Sequence, residues 1–316
     1  MALTRPGRAR TAPGSEAVDA GHEQPGPVKA VPTMKLATVG GRATLVTPTG
    51  GVDIARATDG AFGSELMPIY RRWAEFRTDA PGIIAAGPAV PFDEHDLGAP
   101  APEPPQVFAI GLNYGSHAAE SGMAVPSIPA TFTKFPASLS GPFDAVELSG
   151  DTVDWEVELV AVIGSRADRV PVESAWDHVA GLTVGQDISD RTLQFAAAGQ
   201  FSLGKSYRGY GPIGPWLVTP DEFDDPDDLG LGCSVNGEVV QDARTSDMVF
   251  SVPQLIAELS DVLPLLPGDV IFTGTPAGVG IARQPAKFLA AGDVLESWIE
   301  GIGTIRNACR ARERSA

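Results

Sequence analysis

The stretch Asp154-Trp155-Glu156-Val157-Glu158-Leu159-Val160-Ala161-Val162 decides how this chain is read. In a strand, successive side chains point to opposite faces. Val153, Trp155, Val157 and Leu159 then share one face, and Asp154, Glu156 and Glu158 share the other. Same-face neighbours lie roughly 7 Å apart, so the carboxylates repel unless a cation sits between them. Three acids in one row also run against β-propensity. One explanation is a solvated outer face on an edge strand, where charge discourages aggregation. Outward faces usually mix signs, however, and these positions hold no Lys or Thr. The alternative is a hard cation such as Mg²⁺, which takes oxygen ligands and keeps waters, so that two or three carboxylates suffice. The nitrogen and sulfur ligands favoured by zinc are missing.

A further oxygen ligand is offered by Asp187, where the apolar stretch from Gly181 turns polar (Gln186-Asp187-Ile-Ser-Asp-Arg191-Thr-Leu-Gln194). Asp187 or Ser189 could instead be the N-cap of a helix starting there. Upstream, Asn113-Tyr-Gly-Ser-His117-Ala-Ala-Glu120 follows an apolar run. If Ser116 caps a short helix, His117 and Glu120 stand at i and i+3, where side chains meet. A carboxylate on one ring nitrogen sets the tautomer and makes the other nitrogen a better base. An incidental ion pair on a surface turn is the plainer alternative. Only five lysines accompany 18 arginines, and two of the five, Lys134 and Lys205, are lone charges in apolar or Gly-rich settings. Such lysines serve charge stabilisation or proton transfer, unless they merely snorkel. Thr273-Gly-Thr275-Pro-Ala-Gly-Val-Gly280 is neither a Walker loop nor GxGxxG. Its N–H groups and the Thr275 hydroxyl could hold a carboxylate, or the segment is only a tight turn.

Residues 1–33 are rich in Ala, Pro, Gly and Arg, and are expected to be disordered. A small N-terminal domain is expected over 34–98, with strands at 35–39 and 43–47 and a helix over Leu66–Arg77. After the Pro-rich connector at 99–105, short apolar runs bounded by Gly, Pro and Asp recur at 107–112, 153–163, 214–219, 231–235, 269–273 and 293–299. They predict a β-rich catalytic domain over 104–310. The clearest helix is Val252–Val262, stopped by Pro264. The net charge of −17 argues against a nucleic-acid partner. It also means that an acidic substrate needs a local cation. No run of 18 apolar residues suggests a membrane span. Cys233 and Cys309 form no CxxC, which fits a reducing cytoplasm.

Taken in order, these segments resemble the fumarylacetoacetate hydrolase family, in its acylpyruvate hydrolase and 2-hydroxyhepta-2,4-diene-1,7-dioate isomerase-like branch. The resemblance spans about 104–308. Its matching pieces include Gly111-Leu-Asn-Tyr-x-x-His117-x-x-Glu120, Phe132-Thr-Lys134-x-Pro, Asp154-Trp-Glu156-Val-Glu158-Leu, Gln186-Asp187-Ile-Ser-x-Arg191-x-x-Gln194, Lys205-Ser and Thr273-Gly-Thr275-Pro-x-Gly-Val-Gly280. Thr192 and Arg208 depart from it, since relatives commonly carry Asp at both positions. The resemblance implies an α+β, β-rich fold, a mixed β-sandwich roll with a small N-terminal α+β unit, usually a homodimer. It implies one Mg²⁺ or Mn²⁺ on Glu156, Glu158 and Asp187. His117 and Glu120 would activate water, and Lys205 would stabilise a developing oxyanion. Lys134, Arg191, Gln194 and Thr275 would surround the bound acid, and Tyr207 is a further candidate for the substrate pocket.

The expected reaction is metal-dependent hydrolysis of a C–C bond in a 2,4-dioxo acid, of acylpyruvate or fumarylpyruvate type, through an enolate held by the metal. The alternatives are an isomerase or decarboxylase of a related acid such as oxaloacetate, or a catalytically silent binding protein of the same fold. Loss of His117 separates hydrolase from decarboxylase, and failure to bind Mg²⁺ or Mn²⁺ would favour the silent protein.

Overall fold

The computed structural model describes residues 34–196 and 198–312. The extension at 1–33 lies outside the described residues. The strands that carry the architecture are Lys35–Val39 (β1), Arg42–Thr47 (β2), Gly50–Asp53 (β3), Val107–Gly111 (β4), Ala130–Thr133 (β5), Val146–Leu148 (β6) and Val157–Ile163 (β7). They continue with Val179–Gln186 (β8), Gly211–Val218 (β9), Gly230–Val235 (β10), Glu238–Arg244 (β11), Val270–Phe272 (β12), Val294–Ile299 (β13) and Gly303–Ala311 (β14). The helices are Ile54–Ala57 (α1), Leu66–Tyr70 (α2), Trp73–Ala86 (α3), Gly115–Glu120 (α4), Arg191–Ala196 (α5) and Val252–Val262 (α6).

A large mixed sheet runs β3-β2-β1-β9-β8-β7-β12-β4-β5, and a second runs β11-β10-β13-β14-β6. Only the β12–β4 and β14–β6 pairs along these paths are parallel. This is the α+β, β-rich sandwich roll that the sequence predicts. Residues 34–98 extend the large sheet, because β1 pairs with β9.

All seven residues of β7 are buried, because both faces of the large sheet are covered. Leu159, Ala161 and Ile163 enter a core shared with Leu231, Cys233, Leu295 and Ile305 of the second sheet. Val160 and Val162 enter another core, against Ile69, Trp73 and Phe76 of the N-terminal helices. The period of two is therefore real, and every β7 side chain but Glu158 is apolar, as expected for a strand covered on both faces. A solvated edge strand is ruled out.

Two expected elements come out differently. The helix expected over 66–77 is two, α2 and α3, and α3 runs on through Pro81 to Ala86. The buried positions Leu66, Ile69, Tyr70, Trp73, Phe76, Ala80 and Ile83 keep one helical stripe across the break, so burial holds both pieces on the sheet. The strand expected over 153–163 breaks at Trp155–Glu156, leaving Val153–Asp154 paired with Ser189–Asp190. Helix α6 has the predicted bounds, with Ser251 and Gln254 forming a capping box.

Candidate active site

The break before β7 builds the site. At that point backbone donors turn to side chains: the Glu156 N–H donates to Gln186 Oε1 at 2.8 Å and the Val157 N–H to Gln241 Oε1 at 2.9 Å. Glu156 and Glu158 then meet Asp187, which follows β8, and one oxygen of each carboxylate lies within 4.8 Å of the others. All three are at most 5% exposed. Asp154 does not join them, contrary to the single acidic face expected for an unbroken strand. It accepts the Gly280 N–H at 2.7 Å, the Ile281 N–H at 3.0 Å and Arg191 Nε at 2.9 Å. Asp187 caps no helix; the Leu193 N–H of α5 donates to Asp190.

Three buried cations surround these acids. Lys205 Nζ donates to Glu156 at 2.7 Å and to Asp187 at 2.6 Å. Arg191 Nη1 stands 2.7 Å from Glu156 and donates to Gln194 Oε1 at 2.9 Å. Lys134 Nζ donates to Asp187 at 2.7 Å and to the Lys205 carbonyl. Burial opposes charge on each group, yet the outcomes differ. For Glu156, Lys205 and Arg191 outweigh burial and hold the carboxyl down at about 2. For Glu158, burial together with Asp187 and Glu156 pushes it well above the carboxylate range. Burial lowers Lys134 despite Asp187, whereas Asp187 and Glu156 overcome burial and raise Lys205.

Glu158 supplies the test of whether a cation fits. It is 1% exposed and accepts the Gly274 N–H at 2.8 Å, and no described Lys, Arg or His pairs with it. An uncompensated carboxylate beside two others is costly unless it is protonated or shares a positive ion. The all-oxygen donors suit a hard divalent cation. Gly274 brings its N–H to Glu158 from a left-handed turn, φ +100°, where a Cβ would lie 2.7 Å from Asn113 Cβ.

A cavity of about 310 Å³ opens over this cluster. Its polar lining includes Glu156, Arg191, Gln194, Lys205, His117 and Glu120. His117 Nδ1 lies 2.8 Å from Glu120 Oε1, and the Gly278 N–H donates to Glu120 Oε2 at 2.9 Å. A carboxylate only accepts, so Nδ1 carries the proton and Nε2 of the neutral ring is left as the base. Tyr114, rather than Ser116, occupies the N-cap position of α4 and supplies no side-chain cap.

Two expected substrate contacts are placed elsewhere. Lys134, fully buried, lies behind the carboxylates and is not among the lining residues. Tyr207 packs on Tyr210, ring centroids 5.1 Å apart, also away from the cavity. Thr275 does line the cavity, but its hydroxyl donates to the Val157 carbonyl at 2.8 Å and accepts from Gln241 Nε2 at 2.7 Å. The sequence reading missed Gln186 and Gln241. Gln186 adjoins Asp187 in a motif already singled out, whereas nothing around Gln241 marks it.

A family profile described as Fumarylacetoacetate (FAA) hydrolase C-terminal matches residues 106–310. The chain is 44% identical over 228 residues to oxaloacetate tautomerase FAHD2A, mitochondrial, of Homo sapiens, covering 71% of this chain and 73% of that protein. A provisional HpcE protein from Mycobacterium smegmatis superposes with a TM-score of 0.84 at 48% identity, covering 89% of this chain and all of the other (100%). Maleylpyruvate hydrolase from Sphingobium sp. SYK-6, solved with manganese(II) and pyruvate, gives a TM-score of 0.74 at 29% identity, with 89% and 100% covered.

Proposed function

Because the chain belongs to the fumarylacetoacetate hydrolase family, we propose that it moves a proton at the carbon beside the carbonyl of a small 2-oxo acid, interconverting keto and enol forms as an isomerase. The observation that carries this reading is the His117–Glu120 pair at 2.8 Å, which sets a base on the wall of the cavity that Glu156 and Lys205 line. Glu156, Glu158 and Asp187 would hold one Mg²⁺ or Mn²⁺, which supplies Lewis-acid polarisation and a positive charge for the substrate's acid group.

The chain's own groups do the rest. His117 Nε2 takes the proton from C3 as the C–H electron pair forms the enolate, and the imidazolium then returns that proton to the carbonyl oxygen, directly or through a water; the reverse transfer regenerates the ketone, so composition is unchanged. Glu120 stabilises the imidazolium that forms. Lys205 commits two of its three N–H donors to Glu156 and Asp187, leaving one for charge growing on the substrate oxygen. The apolar lining, with Ile110, Phe132 and Phe201, limits water at C3.

Hydrolysis of a 2,4-dioxo acid is the second reading, favoured by the likeness to a maleylpyruvate hydrolase; the same His117 would then deprotonate water. One experiment separates the two. The Mn²⁺-loaded protein is given 2-oxo and 2,4-dioxo acids in D₂O, and NMR follows deuterium at C3 beside pyruvate release. Exchange without cleavage, lost in His117→Ala, is expected. Cleavage as the faster event on every 2,4-dioxo acid would make the enzyme a hydrolase.

Among the described residues no helix is long and apolar enough to cross a membrane. Both cysteines are free and buried, which supports a reducing compartment such as the cytoplasm. Dimerisation belongs to the same proposal, and sedimentation analysis tests it.

A further inference from the structure

Lys134, Arg191 and Lys205, each at most 5% exposed, are paired with Asp154, Glu156 and Asp187 beneath the cavity. The distal end of a substrate therefore has to find its partners on the rest of the cavity wall.

No other described Lys or Arg lines the cavity besides Arg191 and Lys205; Arg191 is paired with the acids beneath, and the one N–H that Lys205 keeps is taken by the substrate's carbonyl oxygen. Part of the wall is instead aromatic. Phe201 meets Phe132 and Phe195 edge-to-face, with both centroid distances 5.9 Å, and Met123 lines the same cavity. A second carboxylate placed here would lose water and gain no cation, whereas an alkyl or aryl group would gain apolar contact.

We propose that the site selects 2-oxo monocarboxylates with an apolar distal group, and disfavours dicarboxylates such as the oxaloacetate of the relatives' name. Phe195, Phe201 and Met123 are the residues that set this preference. The inference rests on the 2-oxo acid reading above and deepens it.

Length-matched ligands test it without requiring turnover. Isothermal titration of the full chain, loaded with Mn²⁺, compares 2-oxohexanoate with 2-oxoadipate. The expected result is about tenfold or tighter binding of the monocarboxylate, the scale of a lost charge partner or two buried methylenes. In Phe195→Arg, whose parent side chain is 53% exposed and so tolerates exchange, 2-oxoadipate should gain about as much. Equal or tighter binding of 2-oxoadipate by the unaltered protein overturns the selectivity and leaves the 2-oxo acid reading intact. Failure to bind either acid, with Mn²⁺ bound, overturns both.

Discussion

Glu120 accepts the Gly278 N–H at 2.9 Å with one oxygen while the other lies 2.8 Å from His117, so the helix that carries the base is tied to the Thr273–Gly280 loop. Orientation and charge of the base thus depend on one carboxylate. Replacing His117 with Ala should lower kcat by about 10²–10⁴-fold, the usual worth of a positioned base, and Glu120→Gln should fall within the same range. Neither residue belongs to the carboxylate cluster, so Mn²⁺ affinity measured by titration should be unchanged. A variant that lost metal and activity together would contradict the assignment.

Glu158 has the opposite character, a buried acid that only a proton or an added cation can satisfy. Glu158→Gln keeps an oxygen for the Gly274 N–H and removes the charge. The metal-free protein should become more stable, by about 1–3 kcal/mol, while Mn²⁺ binding collapses. Thermal unfolding with and without Mn²⁺ reads both effects. A less stable metal-free variant would mean that the carboxylate is already compensated.

The pH dependence follows from the same group. In the metal-free fold Glu158 is pushed well above the ordinary carboxylate range by burial, Asp187 and Glu156. Below the unfolded pKa both states hold the proton, and its contribution to stability is fully present. As pH rises through the folded pKa, that contribution is lost, at up to about 1.4 kcal/mol per unit. A bound divalent ion displaces the proton. Stabilisation by Mn²⁺ should therefore grow with pH across this window, and a flat response would place the ion elsewhere.

The sequence made the clustered acids legible because Glu156 and Glu158 stand in a short, chemically odd pattern, and Asp187 ends the apolar stretch that begins at Gly181. The sheet order was not legible, since pairings such as β1 with β9 join distant segments and leave no local trace. The Trp155–Glu156 break was hidden for a related reason. Period-two patterning describes an ideal strand, and the glutamines that take its N–H groups come from residues 186 and 241. Lys134 looked like a substrate contact because a lone lysine in an apolar setting fits either side of a carboxylate. Only the fold decides which side.

That placement separates structural from kinetic effects at Lys134. It is fully buried and bonded to Asp187 and to the Lys205 carbonyl. Lys134→Met should destabilise the fold by about 3–5 kcal/mol, as when one member of a buried ion pair is removed. Below its melting temperature the surviving enzyme should show a KM for the 2-oxo acid within about twofold of the parent, because uniform substrate binding is what KM reports. A large rise in KM with unchanged stability would put the ammonium back in the pocket.

Gln241 offers the sharpest test of how the break in the acidic strand is held. Its amide accepts from the Val157 N–H and donates to Thr275 Oγ and the Pro276 carbonyl, joining the strand to the loop that also carries Gly274. Leu at this position has similar bulk and none of these bonds, leaving a buried N–H and a carbonyl unsatisfied at a cost of about 1–3 kcal/mol each. If the bonds only stabilise the fold, Gln241→Leu lowers the melting temperature and leaves Mn²⁺ affinity in the folded protein unchanged. If they hold Glu156 and Glu158 in register with Asp187, affinity falls about 10–100-fold, the range seen when groups supporting metal ligands are removed. The geometry predicts the second outcome, because Val157 lies between the two glutamates and the Thr273–Gly280 loop delivers the Gly274 N–H to Glu158.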